Sequence, residues 1–181
     1  LKSGVVPRLG LQHIQVGRSG ELKSFINDID TIASGGTSFR FVIGEYGSGK
    51  TFFLSLVRCI ALEKGLVTMH ADLSPNKRLH GSDGQPRLLL SEMLNNISTR
   101  TRQEGNALQN IIEKFISSAK EESNGTGEPV GEIIGNRLRE LGEYTGGYTF
   151  ITVIKRYWEG YEAGDINLME SALKWLKAGY T

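Results

Sequence analysis

A single cysteine among 181 residues, Cys59, leaves no partner for an internal disulfide. Set in an apolar stretch, it reads as a small buried hydrophobe of a reducing compartment and not as a reactive thiol. Apolar runs are short: none approaches the ~18 residues that a membrane span requires, and no signal-peptide pattern opens the chain. No membrane partner and a cytoplasmic location are therefore expected. An excess of charge of one sign is missing too. The 21 Lys and Arg against 20 Asp and Glu leave +1, which argues neither for nor against nucleic acid. The three histidines, His13, His70 and His80, fall in different segments with no cysteine or carboxylate at metal-ligand spacing, so a zinc centre is not expected. Internal repeats and heptads are absent. So is an initiating methionine: the chain starts at Leu1, as an excised piece of a longer polypeptide would.

What the chain does hold is ordinary globular composition, 39% hydrophobic and 23% charged, enough for one domain or a domain with a small appendage. One stretch organises the rest. Residues 44–51 read Gly-Glu-Tyr-Gly-Ser-Gly-Lys-Thr and fit G-x-x-x-x-G-K-[ST] without mismatch, the pattern of a phosphate-cradling P-loop, or Walker A motif. Residues 38–43 before it are rich in β-formers and predict a buried strand. Residues 51–64 after it predict a helix, with Gly65 at its C-terminal cap. Each residue type has its physical reason. Gly44, Gly47 and Gly49 permit backbone angles and close approach that a Cβ would block. The N–H groups of Glu45, Tyr46, Gly47, Ser48, Gly49 and Lys50 then form an anion nest at the positive end of the helix. Lys50 would face the β- and γ-phosphates and the Thr51 hydroxyl would ligate Mg²⁺, with Phe52 completing the set at the helix start. The expected ligand is ATP or ADP with Mg²⁺.

Along the chain, residues 1–16 form a lead-in with Pro7 that ends in His13, Ile14, Gln15 and Val16. Leu22, Phe25, Ile26, Ile29 and Ile32 then mark one face of a helix for which Ser19 is the candidate N-cap. Residues 34–37 break it. A second strand is expected at residues 66–73, completing strand, crossover helix and strand, which implies a parallel sheet. Residues 74–84 read as a loop. Helices are expected at 88–97 and 108–119, the latter capped by Asn106, and residues 121–128 read as a flexible loop. Pro129 opens a helix carrying Val130, Ile133, Ile134, Leu138 and Leu141. The stripe of Phe150, Ile151, Ile154, Tyr157, Trp158 and Tyr161 reads as core at helical spacing, since no basic patch interleaves the aromatics as a stacking surface would need. A last helix runs from its cap, Asp165, to Ala178.

Other chemistries are weaker. Residues 76–79, Asn-Lys-Arg-Leu, start like a guanine-reading N-K-x-D but put leucine where the aspartate should be. Asp72 closes a β-rich run and is the one candidate for the magnesium-orienting acid of a Walker B strand, yet no second acid follows it. Past residue 84 the only strand-like run, 149–154, is followed by Lys155 and Arg156 where acids are needed. This chain therefore carries half of a hydrolytic site, because phosphoryl transfer needs a positioned metal and water as well as a cradle.

Val16, Gly17 and Arg18, with Glu21 and Leu22, resemble the opening of AAA+ ATPases, in which such a turn packs near the adenine. Longer strings, residues 4–18, 39–50 and 71–81, are similar to the ATP-binding proteins of the BREX phage-exclusion systems, the BrxC/BrxD type. The resemblance covers the first half well and the second half more loosely. It implies an α/β P-loop NTPase of AAA+/RecA-like type: a parallel-sheet core over residues 1–84, its sheet incomplete in this piece, and a mainly helical region over 85–181. It also implies that Gly17 and Arg18 lie beside the base, that a Walker B strand lies downstream, and that the full protein acts on DNA or on other defence-system proteins, in an oligomer. Two alternatives stay open: a non-hydrolysing nucleotide switch, and a P-loop small-molecule kinase, for which Arg100 and Arg102 would have to belong to a lid.

Overall fold

Residues 17–81 and 85–179 are described by the structure, a computed structural model; the lead-in with His13 and most of the string at 4–18 lie outside them. Among these residues the chain forms seven α-helices: α1 (Ser19–Ala33), α2 (Lys50–Glu63), α3 (Gln85–Asn95), α4 (Leu108–Thr126), α5 (Val130–Arg137), α6 (Gly147–Ala163) and α7 (Ile166–Leu176). A 3-10 helix, Arg139–Glu143, follows α5. None of them is long and apolar enough to cross a membrane.

The expected parallel-sheet core is not there. Strand pairing among the described residues is confined to three isolated antiparallel bridges, Thr68 with Ser98, Ser74 with Lys77, and Thr99 with Arg102. The crossover helix α2 forms where expected, but neither flanking segment is a strand. Residues 38–43 run in without a ladder and leave Phe39, Phe41 and Ile43 exposed, at 81%, 79% and 91%. Residues 66–73 contribute one bridge only, at Thr68. The α/β assignment is thereby overturned, and the described chain is predominantly helical. The physical reason is that β-propensity measures how well side chains suit a pleated, half-buried surface; by itself it supplies no partner for the backbone. The run at 149–154 is likewise helical, inside α6.

The chain divides into two compact units. One holds the described residues up to Thr68 together with Ser98–Gln103; the other holds Met69–Ile97 and the chain from Glu104 onward. In the first, α1 packs on α2, with Phe25 and Phe53 edge to face at 5.3 Å between ring centroids. Ile29, Phe53, Leu56, Ala61 and Leu62 form its buried interior. Both helices end the same way. Gly65 adopts φ +83°, so that its N–H reaches the Leu62 carbonyl at 3.0 Å and the Leu66 N–H reaches that of Ala61 at 3.0 Å. This paired closure needs a residue without a Cβ penalty at the left-handed position. Gly35 and Gly36 repeat it on Ile32 and Thr31. Arg18, not Ser19, occupies the N-cap of α1 and makes no side-chain cap bond. The segment Ser98–Gln103 is fastened by two Thr68–Ser98 backbone bonds of 3.0 and 2.8 Å. Arg58 of α2 adds bonds to the Ser98 hydroxyl at 2.8 Å and the Gln103 carbonyl at 2.5 Å. The turn holding Arg100 and Arg102 is closed by the Thr99–Arg102 bridge.

The second unit is built around Ile112, Ile116, Ala119, Ile133, Ile134, Ile154, Tyr157, Ala172 and Leu176. These are the apolar faces of α4 to α7; of the aromatic stripe, Ile154 and Tyr157 are core, Phe150 and Trp158 pack partly buried against them, and Tyr161 is exposed. Tyr157 is fully buried and its hydroxyl donates to Glu113 Oε1 at 3.0 Å. Asp165 caps α7 as expected, accepting from the Leu168 N–H at 3.1 Å. Two expectations fail here. Residues 121–126 are not loop but the last turns of α4, which stops at Gly127 in the left-handed region. Arg137 of α5 pairs with Glu122 and donates to the Ser118 hydroxyl at 3.2 Å, so this polar end of α4 is held by a neighbouring helix that the local composition does not reveal. Asn106 does not cap α4, whose N-cap is Ala107; its side chain accepts from Lys177 at 3.2 Å.

Candidate functional site

The loop at 44–51 enters α2 through Gly49, which sits at φ +81° and ψ 22° as the helix N-cap. That left-handed corner is where a side chain would cost most. Gly44 serves by closeness instead: a Cβ there would lie 2.7 Å from the Ser48 hydroxyl. Within the loop the Ser48 N–H bonds the Glu45 carbonyl at 3.2 Å, and the Phe53 N–H bonds that of Gly49 at 3.0 Å as α2 begins. Lys50 folds back over the loop. Its ammonium donates to the Gly44 carbonyl at 2.9 Å and the Glu45 carbonyl at 2.7 Å, the position from which a cation would meet phosphate oxygens held in the same cradle. Thr51 is exposed in the first turn of α2, where its hydroxyl is free to face solvent or a metal. Phe52 is half-buried and Tyr46 fully exposed.

Arg18 belongs to this loop. Its Nη2 donates to the Ser48 carbonyl, and its guanidinium stands 5.7 Å from the centroid of the Phe53 ring. Gly17, at φ +83°, makes the turn before it. Lys50, Gly44, Ser48 and Arg18 all line one cleft of about 790 Å³, walled by the first turns of α1 and by residues 39–43. The loop, the start of α1 and the incoming segment thus surround one space of the size that holds a small-molecule ligand. The donor set suits a polyphosphate: helix N-terminal backbone, one ammonium, and a glycine, Gly44, where a Cβ would intrude.

Sequence reasoning missed what fixes the cleft wall. Arg40 pairs with Asp28 of α1, with a second bond from Nη2 to Oδ1 at 3.0 Å, and its guanidinium stands 5.3 Å from the Phe25 centroid. The signal was one charged residue in a β-rich run, opposite an acid on the preceding helix. Arg40 holds the Asp28 carboxyl below the usual carboxylate range, outweighing a smaller opposing effect of burial. The folded state therefore binds this proton less readily than the unfolded state. The pair's contribution to stability is present above the ordinary carboxylate value and is lost as pH falls through the depressed one. Asp28→Asn should accordingly lower the melting temperature at neutral pH, and the difference from the unmodified protein should narrow as pH falls below the ordinary carboxylate range. A gap of unchanged size across that acid titration would refute the pairing.

Asp72 lies in the other unit and is exposed; its N–H donates to Glu92 Oε1 at 3.3 Å. Glu92 is held below its ordinary range chiefly by the hydrogen bond from Lys77, with the Asp72 N–H second. Lys77, the lysine of the guanine-like string, is thus engaged with a carboxylate.

Compared with models of known protein families, residues 1–181 match the family described as BREX system ATP-binding protein BrxC/D. No curated protein and no solved structure matches the chain.

Proposed function

The chain belongs to the family of BREX system ATP-binding proteins BrxC/D, and from that premise we propose that residues 44–51 are the seat of the nucleotide. The ligand is Mg-ATP or Mg-ADP, with the phosphates on the loop backbone, Lys50 on the β/γ charge and the Thr51 hydroxyl on the metal. The observation that carries the reading is the junction at Gly49: a left-handed glycine opens a 14-residue helix while Lys50 arches over the carbonyls at the loop's start. A helix N-terminus of that length offers unpaired N–H groups and a positive dipole end, and the lysine supplies the countercharge. In the complete defence system, nucleotide binding and hydrolysis would be coupled to action on DNA or on partner proteins. No feature of the cleft favours a small-molecule kinase.

The test is thermal. A hundredfold excess of Mg-ATP over its Kd should stabilise the protein by about 2.7 kcal/mol, and Mg-ADP should do the same at its own hundredfold excess. Thr51→Ala should keep nucleotide affinity in EDTA and lose the extra shift that Mg²⁺ confers on the unmodified protein. An absent shift with every adenine nucleotide would remove the proposal.

A further inference from the structure

We propose that Arg18 is a positioning residue for the phosphate loop, acting through the Ser48 carbonyl and not by touching the base. The inference rests on the reading of residues 44–51 as the phosphate site and deepens it. Lys50 secures only the first part of the loop, at the carbonyls of Gly44 and Glu45. The second part is held from outside it, where Arg18 Nη2 donates to the Ser48 carbonyl. The guanidinium is itself seated: it stands 5.7 Å from the centroid of Phe53, a side chain only 3% exposed in α2. A buried ring and a loop carbonyl thus fix the two ends of one planar group.

The consequence follows from peptide geometry. The Ser48–Gly49 peptide unit is planar and trans, so its C=O and N–H point to opposite sides. Holding the carbonyl toward Arg18 holds the Gly49 N–H on the other side. With glycine on its C-terminal side, at Gly49 with φ +81°, that peptide could rotate at lower steric cost than between two residues that carry a Cβ. A charge-assisted bond removes the rotation before ligand arrives, which lowers the ordering cost of binding. A lysine at position 18 would keep the charge but lose the flat face that lies over Phe53 and the fixed fork of donors.

Two ligands separate this role from a base contact: Mg-ATP and magnesium tripolyphosphate, which has no base. Arg18→Ala should weaken both by a similar factor, about tenfold, with the apo protein still folded by circular dichroism. Weakening confined to ATP would mean a base contact and would overturn the inference. Unchanged affinities with only a lower melting temperature would mean a merely structural arginine and would overturn it as well. Lys50→Ala is measured alongside. If it abolishes tripolyphosphate binding while Arg18→Ala does not, positioning fails and the phosphate site stands. If Lys50→Ala leaves binding intact, the site reading falls and takes the inference with it. Should Arg18→Ala not fold, Arg18→Lys is read in its place: weaker binding of both ligands supports the role, and unchanged binding refutes it.

Discussion

Lys50→Ala is expected to abolish most nucleotide-induced stabilisation while leaving the apo protein nearly as stable as before. The two halves of that expectation have separate causes. In the apo protein the ammonium bonds two carbonyls of its own loop, those of Gly44 and Glu45. Both residues are exposed, so water replaces the lost donor, and an exposed interaction of this kind is worth no more than about 1 kcal/mol. With polyphosphate present, the same side chain is the cation facing two or three negative charges inside the cleft. Losing it should weaken binding about a hundredfold, or about 2.7 kcal/mol. At a concentration a hundred times the unmodified Kd, the variant would then be half-saturated and its stabilisation would drop to about 0.4 kcal/mol. Differential scanning fluorimetry across a nucleotide titration reads both quantities. A variant whose shift matches that of the unmodified protein would remove Lys50 from the site, and with it the assignment of residues 44–51.

The largest loss of stability is expected at Tyr157. This ring is fully buried at the centre of the second unit's core and carries a hydroxyl bonded to Glu113. Burial, first, and the neighbouring Glu113 carboxylate push its ionisation well above the ordinary tyrosine range, so the hydroxyl keeps its proton and the bond persists through alkaline pH. Truncating a buried aromatic costs about 3–5 kcal/mol, from lost transfer energy plus the cavity. Tyr157→Ala should therefore melt this unit at least ~12 °C earlier, by the usual conversion for ~100 residues. Tyr157→Phe keeps the packing and gives up only the bond to Glu113, so it should cost about 1–2 kcal/mol. Glu113, half-buried and also accepting from Gln109 at 2.8 Å, retains a partner. Equal melting temperatures for the alanine and phenylalanine variants would show that the ring is not packed as described.

Parts of this architecture were legible in the residue order because their causes are local. The helices α1 and α4 to α6 follow from apolar spacing of three and four, α2 from an apolar stretch behind the glycine-rich loop, and α7 from its Asp165 cap. Gly65 and Asp165 act through their immediate neighbours, by a left-handed angle and a side-chain cap. The loop at 44–51 was readable for the same reason: its glycine spacing, its lysine and its hydroxyl lie within eight residues, and Gly49 opens α2 as the pattern requires. Polar composition misled at 121–126, where pairing of Glu122 with Arg137 of α5 ties the end of the helix to its neighbour.

What the sequence by itself determined is thus the placement of helices and the left-handed glycine junction that opens α2. What only tertiary structure decided is which segments found partners. Residues 38–43 have the composition of a strand and form no ladder, since pairing is a property of two segments and the sequence of one cannot supply the other. The seating of Arg18 on Ser48 and Phe53, thirty-odd residues away, and the grip of Arg40 on Asp28, depend on where α1 lies against α2. Those contacts join residues far apart in the chain through packing of the Phe25 and Phe53 rings. No local rule encodes that geometry, because its energy comes from surfaces that meet only after the helices have formed.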